Sequence, residues 1–272
     1  MKNVTYTIVK YVQSELLVSN YKPEATEYDF GADKNGRFIK FETDDGMTLS
    51  VTGSIDRVDK SVGSGREYIR IIDYKTGKIY LDKAHLMCGL NLQMLIYLDA
   101  YLKCEDSQNN SVASGIEYMS FGEKIDKYRD SSCTPENYKQ IEKDAVLKAF
   151  KPKGIVNGAA DIIQTFDNGS NTKLVYAPFK SDLKTTVSGE ELNAIRKYAE
   201  QKVSDFGNAL ENGSFPMNAV GNVCDYCDYR TVCGRDKYGD TSGIEDNEEL
   251  LEQQFESRIN EIIKSEKGGE QV

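Results

Sequence analysis

Two runs of β-branched and aromatic residues constrain this chain more than any other feature. Tyr68-Ile69-Arg70-Ile71-Ile72-Asp73-Tyr74-Lys75 is its strongest strand signal, and the run from Leu49 to Asp59 alternates in the same way. Ser61-Val62-Gly63-Ser64-Gly65 lies between them and has turn composition, so the two runs read as an antiparallel hairpin. Residues 86–103 then carry Leu90, Met94, Tyr97, Leu98 and Tyr101 at helical spacing, and Gly115–Phe121 reads as another strand. A strand, a helix and a second strand in this order favour a right-handed crossover and a parallel pair. The expected fold class is α/β, with a central mixed β-sheet flanked by helices.

Other elements follow from pattern. Helices are expected at 4–18, 135–150 and 189–211, the last capped by Ser188 with Glu191 three residues on. Short strands are expected at Glu27–Gly31, around Phe38–Phe41 and at Lys173–Phe179. Residues 236–249 read as an acidic loop. Leu251, Phe255, Ile259, Ile262 and Ile263 then mark a closing amphipathic helix, and 268–272 a frayed tail. That helix suits packing on the chain's own core or on another subunit.

Composition narrows the function. The chain has 272 residues, with 34 Lys and Arg against 44 Asp and Glu, a net charge of −10. This argues against a broad basic surface for nucleic acid and leaves room for a local site. No stretch nears the ~18–20 apolar residues of a membrane helix, and the N-terminus has no secretory h-region. A reducing cytoplasm is therefore expected for its six cysteines. His85 is the only histidine, which argues against a His-rich metal centre and against most Ser-His-Asp schemes; it reads as a helix-start residue. There is no P-loop, so ATP hydrolysis belongs elsewhere.

Asp73 and Lys75 are two apart on a strand and share a face. Asp56, on the other arm of the hairpin, falls within a residue or two of Asp73. Two carboxylates and the backbone carbonyl of Tyr74 suit Mg²⁺, a hard cation that keeps several waters and accepts phosphate oxygens. Lys75 would orient water or offset developing charge. Gln93 and Tyr97 share one face of the following helix, which would look onto the same patch. An isolated Asp-x-Lys is usually a solvated ion pair. Here it ends a run of four aliphatics and aromatics, follows a second Asp on a hairpin and precedes Gln-x-x-x-Tyr.

Cys224, Cys227 and Cys233 form Cys-x2-Cys-x5-Cys. Such spacing suits zinc or an iron–sulfur cluster, each of which wants a fourth ligand. Cys88, Cys104 and Cys133 read as ordinary thiols.

Gly53-Ser54-Ile55-Asp56-Arg57-Val58-Asp59, Ile71-Ile72-Asp73-Tyr74-Lys75-Thr76-Gly77 and Leu92-Gln93-Met94-Leu95-Ile96-Tyr97-Leu98 together resemble the RecB-type branch of the PD-(D/E)xK nucleases. The resemblance implies a restriction-endonuclease-like core over residues 1–235, with 236–272 as an appendage. It implies that Asp56 and Asp73 hold the metal, Lys75 is catalytic, and Gln93 and Tyr97 are accessory. The cysteine end resembles that of the AddB subunits of bacterial AddAB helicase–nucleases. This implies a 4Fe–4S cluster on Cys224, Cys227 and Cys233 with a fourth cysteine far upstream, yet no cysteine precedes Cys88. The family's additional upstream active-site residue, commonly His, also has no counterpart here; Glu15 and Glu27 are the acidic residues considered for it. The expectation is the C-terminal part of an AddB-like subunit. Such a subunit is an Mg²⁺-dependent DNA exonuclease in double-strand-break repair, acting on a single strand delivered by an AddA-like helicase–nuclease partner. The alternative is an inactive DNA-binding or subunit-interaction module held by a metal clasp.

Overall fold

The computed structural model describes residues 2–31, 39–42, 46, 48–77, 81–105, 110–120, 134, 136–137, 141, 152–166, 186–214, 227–233 and 248–269. Most of the helix expected at 135–150, the strand expected at Lys173–Phe179, the acidic loop up to residue 247, Cys133 and Cys224 lie outside these residues. The chain forms two compact units, one of residues 1–39, 51–79 and 94–193, the other of residues 40–50, 80–93 and 194–272.

The first unit opens with helix α1 (Lys2–Val18) and strand β1 (Lys22–Phe30). Strands β2 (Ile39–Glu42) and β3 (Thr48–Val51) pair in a small sheet of their own. Strands β4 (Gly53–Gly63) and β5 (Arg66–Lys75) form the hairpin. Ser64 and Gly65 make its turn with φ of 53° and 75°, the left-handed pair that matches the twist of a two-residue hairpin loop. After β5 come helices α2 (Lys83–Met87) and α3 (Gln93–Glu105), then β6 (Ser111–Ser120), β7 (Lys153–Asn157), α4 (Ala160–Phe166) and β8 (Thr186–Val187). The main sheet runs β1-β4-β5-β6-β7-β8, with β5 and β6 parallel and β4 and β5 antiparallel. This is the mixed α/β sheet the sequence leads one to expect.

Three boundaries differ from the sequence reading. The Leu49–Asp59 run is two strands, broken at Thr52. The helix expected over 86–103 is two helices, because Gly89 and Asn91 take φ of 77° and 58° and a right-handed helix cannot run through them. Strand β1 starts at Lys22 and includes Pro23. Proline is tolerated there because β1 is the sheet edge and its register slips between Pro23 and Ala25.

Gly154 marks the closest backbone approach. A Cβ there would lie 1.8 Å from the carbonyl oxygen of Ile116 on β6. Gly154→Ala is expected to push β7 off β6 and to cost about 1–3 kcal/mol, read as a lowered thermal midpoint.

Both faces of the central strands are covered, and one is built around charge. Alternation from the Arg57↔Ile72 register puts Arg57, Asp59, Arg70 and Tyr74 on one face. Helix α1 packs there, with Tyr11 against Ile72 and Met119 and with Ile8, Val12 and Tyr74 beside them. Asp59, fully buried, takes Arg57 Nε at 2.6 Å and Arg70 Nη2 at 2.7 Å. Arg70 also meets Glu117 at 3.3 Å and Glu15 of α1. Its guanidinium lies 4.4 Å from the centroid of Tyr21. Burial alone would lower the arginine pKa values, but the surrounding carboxylates raise both above the ordinary range. The two guanidiniums stay charged.

The second unit contains all but the outer residues of β2 and β3, α2, helix α5 (Gly189–Glu211) from Ala194 onward, helix α6 (Arg230–Cys233) and helix α7 (Glu248–Gly269). Ser188 caps α5 as expected, taking the Glu191 N–H at 3.0 Å. The closing helix α7 packs within the chain. Phe255, Ile259 and Ile262 are buried at i, i+4 and i+7, and Phe255 meets Tyr198 edge-on at 5.3 Å. Tyr198 donates to the Met87 carbonyl at 2.8 Å, and Lys83 of α2 pairs with Glu256 of α7. Gly268 and Gly269 extend this helix rather than fray from it.

Candidate active site

The turn at Ser64-Gly65 sets the register Arg57↔Ile72. Continued by one residue, it places Asp56 opposite Asp73, on the sheet face away from α1. Here β4 and β5 part. The Tyr74 N–H donates to Asp56 Oδ2 at 2.8 Å. Lys75 Nζ donates to Asp73 Oδ1 at 3.2 Å and lies 2.9 Å from Oδ2, outside hydrogen-bonding geometry for that atom. Asp73 Oδ2 is thus a buried carboxylate oxygen with no hydrogen bond among the described residues. Burial pushes the Asp73 carboxyl above its ordinary range; Lys75 pulls it back, and the nearby Asp56 charge adds to the rise.

The parallel β5–β6 register puts Tyr118 beside Asp73 and Ser120 beside Lys75. Neither was singled out by the sequence. Lys75 Nζ sits 6.0 Å from the Tyr118 ring centroid. Burial holds the Tyr118 phenol well above its usual pKa, and Asp73 and then Tyr97 add to the effect. Tyr97 belongs to α3. Tyr97 is held by Phe30, edge-on at 5.5 Å, and by Gly53, where a Cβ would come within 2.8 Å of both rings. Gln93 is the exposed first residue of α3, one turn before Tyr97.

Other expected residues lie elsewhere. Glu15 sits on the opposite face among Arg57 and Arg70, away from Asp56 and Asp73. Glu27 is exposed on β1. His85 belongs to the start of α2, where Asp82 takes its N–H at 2.7 Å and its ring Nδ1 at 2.6 Å. Cys227 and Cys233 are exposed at the two ends of a short turn, with the Arg230 N–H on the Cys227 carbonyl at 3.2 Å. Cys224 is outside the described residues. Among those described, no three His, Cys, Asp or Glu side chains cluster as a metal site, and no helix is long and apolar enough to cross a membrane.

The Asp56–Asp73 pair fits a hard divalent cation. Mg²⁺ needs only one or two protein carboxylates, its other positions going to water and substrate phosphate. The buried Asp73 Oδ2, without a hydrogen bond among the described residues, is an oxygen donor of the kind such a cation takes.

The metal-free protein should show the raised pKa of Asp73 directly. A folded-state pKa above the unfolded value means that stability falls as pH rises through the folded value. Asp73→Asn removes the charge that causes the loss. Its midpoint by calorimetry in EDTA is expected to exceed that of the wild type at neutral pH, and the gap should close on acidification as the wild-type carboxyl protonates.

The profile of the PD-(D/E)XK nuclease superfamily matches residues 3–234. The B-type subunit of the ATP-dependent helicase/deoxyribonuclease of Clostridioides difficile (strain 630) is 28% identical over 287 residues, covering 98% of this chain and 24% of that protein. The protein of the same name from Bacillus cereus (strain G9842) is 31% identical over 272 residues, covering 93% of this chain and 22% of its own length. That of Bacillus anthracis is 31% identical over 271 residues, again 93% and 22%. The chain therefore spans less than a quarter of the length of these relatives.

Proposed function

Because the chain belongs to the PD-(D/E)XK nuclease superfamily, we propose that it hydrolyses DNA phosphodiesters with Mg²⁺ held by Asp56, Asp73 and the Tyr74 carbonyl. The observation that carries this reading is Asp56 Oδ2 on the Tyr74 N–H, the residue after Asp73, with Lys75 on Asp73. The cation, when bound, offsets phosphate charge and lowers the pKa of a coordinated water.

The chain's own residues do the rest. Asp73 fixes the Lys75 ammonium on the site face, where it orients the attacking water and meets the charge that grows on the phosphate oxygens. Tyr118 walls the ammonium on its other side. Gln93 and Tyr97 act as accessory groups from α3. A new bond forms between water oxygen and phosphorus, and the bond to the 3′ oxygen breaks. A 5′-phosphate is left, and the 3′ oxygen takes a proton. Lys153, opposite Tyr118 in the β6–β7 register, lies on the same face two strands from Asp73. At ~4.8 Å per strand it stands about 10 Å away, within reach of a neighbouring phosphate.

The relatives are components of helicase/deoxyribonucleases. On that likeness, this chain serves an AddB-like subunit together with an AddA-like partner, trimming a single strand in double-strand-break repair in the cytoplasm. Residues 1–235 are its nuclease part and 236–272 an appendage. Cys224, Cys227 and Cys233 hold a 4Fe–4S cluster with a fourth ligand not identified in this chain.

The test is cleavage of end-labelled linear DNA, single- and double-stranded, by the anaerobically purified chain. Shortening in Mg²⁺ that stops in EDTA is expected. A folded chain that binds DNA without cutting it under any divalent cation would leave the binding-module reading instead.

A further inference from the structure

We propose that Arg57 and Tyr74 are positioning residues for the Asp56–Asp73 metal site, acting from the opposite face of the sheet. The inference rests on the proposed function only in taking these two carboxylates as the cation ligands.

Tyr74 lies between Asp73 and Lys75 in sequence, and Arg57 follows Asp56. Alternation turns the Tyr74 and Arg57 side chains away from the site, toward α1. The paired register of β4 and β5 stops at Arg57↔Ile72. Past that point two bonds link the strands. On the α1 face, Arg57 Nη1 donates to the Tyr74 hydroxyl oxygen at 3.2 Å. On the site face, the Tyr74 N–H donates to Asp56 Oδ2 at 2.8 Å. One residue is thus held by its phenol and holds a ligand by its amide.

Arg57 can act as a fixed post because it is itself pinned. Its Nε and Nη2 reach the two oxygens of Asp59 at 2.6 and 2.5 Å, and Asp59 also takes Arg70. The Tyr74 ring adds to the apolar packing of Tyr11, Ile72 and Met119. Removing the hydroxyl leaves that packing in place and frees the tether to Arg57. Groups that orient a metal ligand without touching the metal typically govern metal affinity about 10–100-fold.

The test is calorimetric titration of the metal-free chain with Mn²⁺, an oxygen-seeking probe of the site, in wild type, Tyr74→Phe and Gly154→Ala. Tyr74→Phe is expected to weaken Mn²⁺ binding by about 10-fold or more. Gly154→Ala, a destabilising change away from the site, is expected to lower the thermal midpoint and leave Mn²⁺ affinity at the wild-type value. Wild-type affinity in Tyr74→Phe overturns the proposal alone. Equal loss in both variants also overturns it, since general loosening would then account for the effect. A wild type that takes up no Mn²⁺ overturns the metal reading and this proposal together.

Discussion

Lys75→Ala is expected to slow DNA hydrolysis by about 10²–10³-fold while the protein stays folded, the usual cost of removing a preorganised charge from the transition state. The side chain is 39% exposed, so its loss leaves no buried cavity, and its ion-pair partner Asp73 stays on β5. Asp73 keeps its place on β5, next to Tyr118 of β6. Metal binding should therefore survive, and Mg²⁺ half-saturation should stay within a small factor of the wild type. The fall should appear in kcat. Wild-type cleavage by this variant would remove Lys75 from the mechanism, and a matching fall in thermal midpoint would make its role structural.

The second large effect lies behind the site. Asp59→Ala is expected to cost about 3–5 kcal/mol, because it leaves two buried guanidiniums facing each other with their shared carboxylate gone. Arg57 and Arg70 are 3% and 1% exposed, so neither guanidinium reaches bulk water to replace the lost carboxylate. For a chain of this size each kcal/mol lowers the midpoint by ~2–4 °C, giving a fall of about 10 °C. Calorimetry of wild type and variant in EDTA checks this. A shift of only a degree or two would mean that the cluster relaxes. Glu15 and Glu117 would then suffice to neutralise both arginines.

These two changes separate what the sequence makes legible from what it hides. The hairpin, a turn within Ser61–Gly65 and the parallel β5–β6 pair all follow from local pattern, although Ser61–Gly63 extend β4 and the turn narrows to Ser64-Gly65. Each is set by residues adjacent in sequence or by the hand of a crossover. The approximate opposition of Asp56 and Asp73 follows from the same turn arithmetic. The charged cluster does not. Arg57, Asp59 and Arg70 stand in runs of aliphatic residues, which is itself a signal, since a strand buried on both faces should be apolar throughout. Their partners Glu15 and Glu117 come from α1 and β6, far off in sequence, and only the packed structure brings them in. Tyr118 was hidden for the same reason. It reaches Asp73 through the β5–β6 register, and its own neighbours in sequence give it no mark. The break at Gly89 and Asn91 depends on backbone angles that Leu90 and Met94, both apolar at helical spacing, conceal. Likewise, the apolar stripe of Phe255, Ile259 and Ile262 cannot name its partner until α2 and Tyr198 are seen against it.

The measurement that bears most directly on the metal site is a Mn²⁺ titration of the metal-free chain against its Asp56→Asn and Asp73→Asn variants, each first shown to be folded. Binding by the wild type that is lost or weakened by orders of magnitude in both variants is the predicted result. Equal binding in all three proteins would contradict it, for the cation would then lie elsewhere and Asp56, Asp73 and Lys75 would be no more than an ion pair at the end of a hairpin.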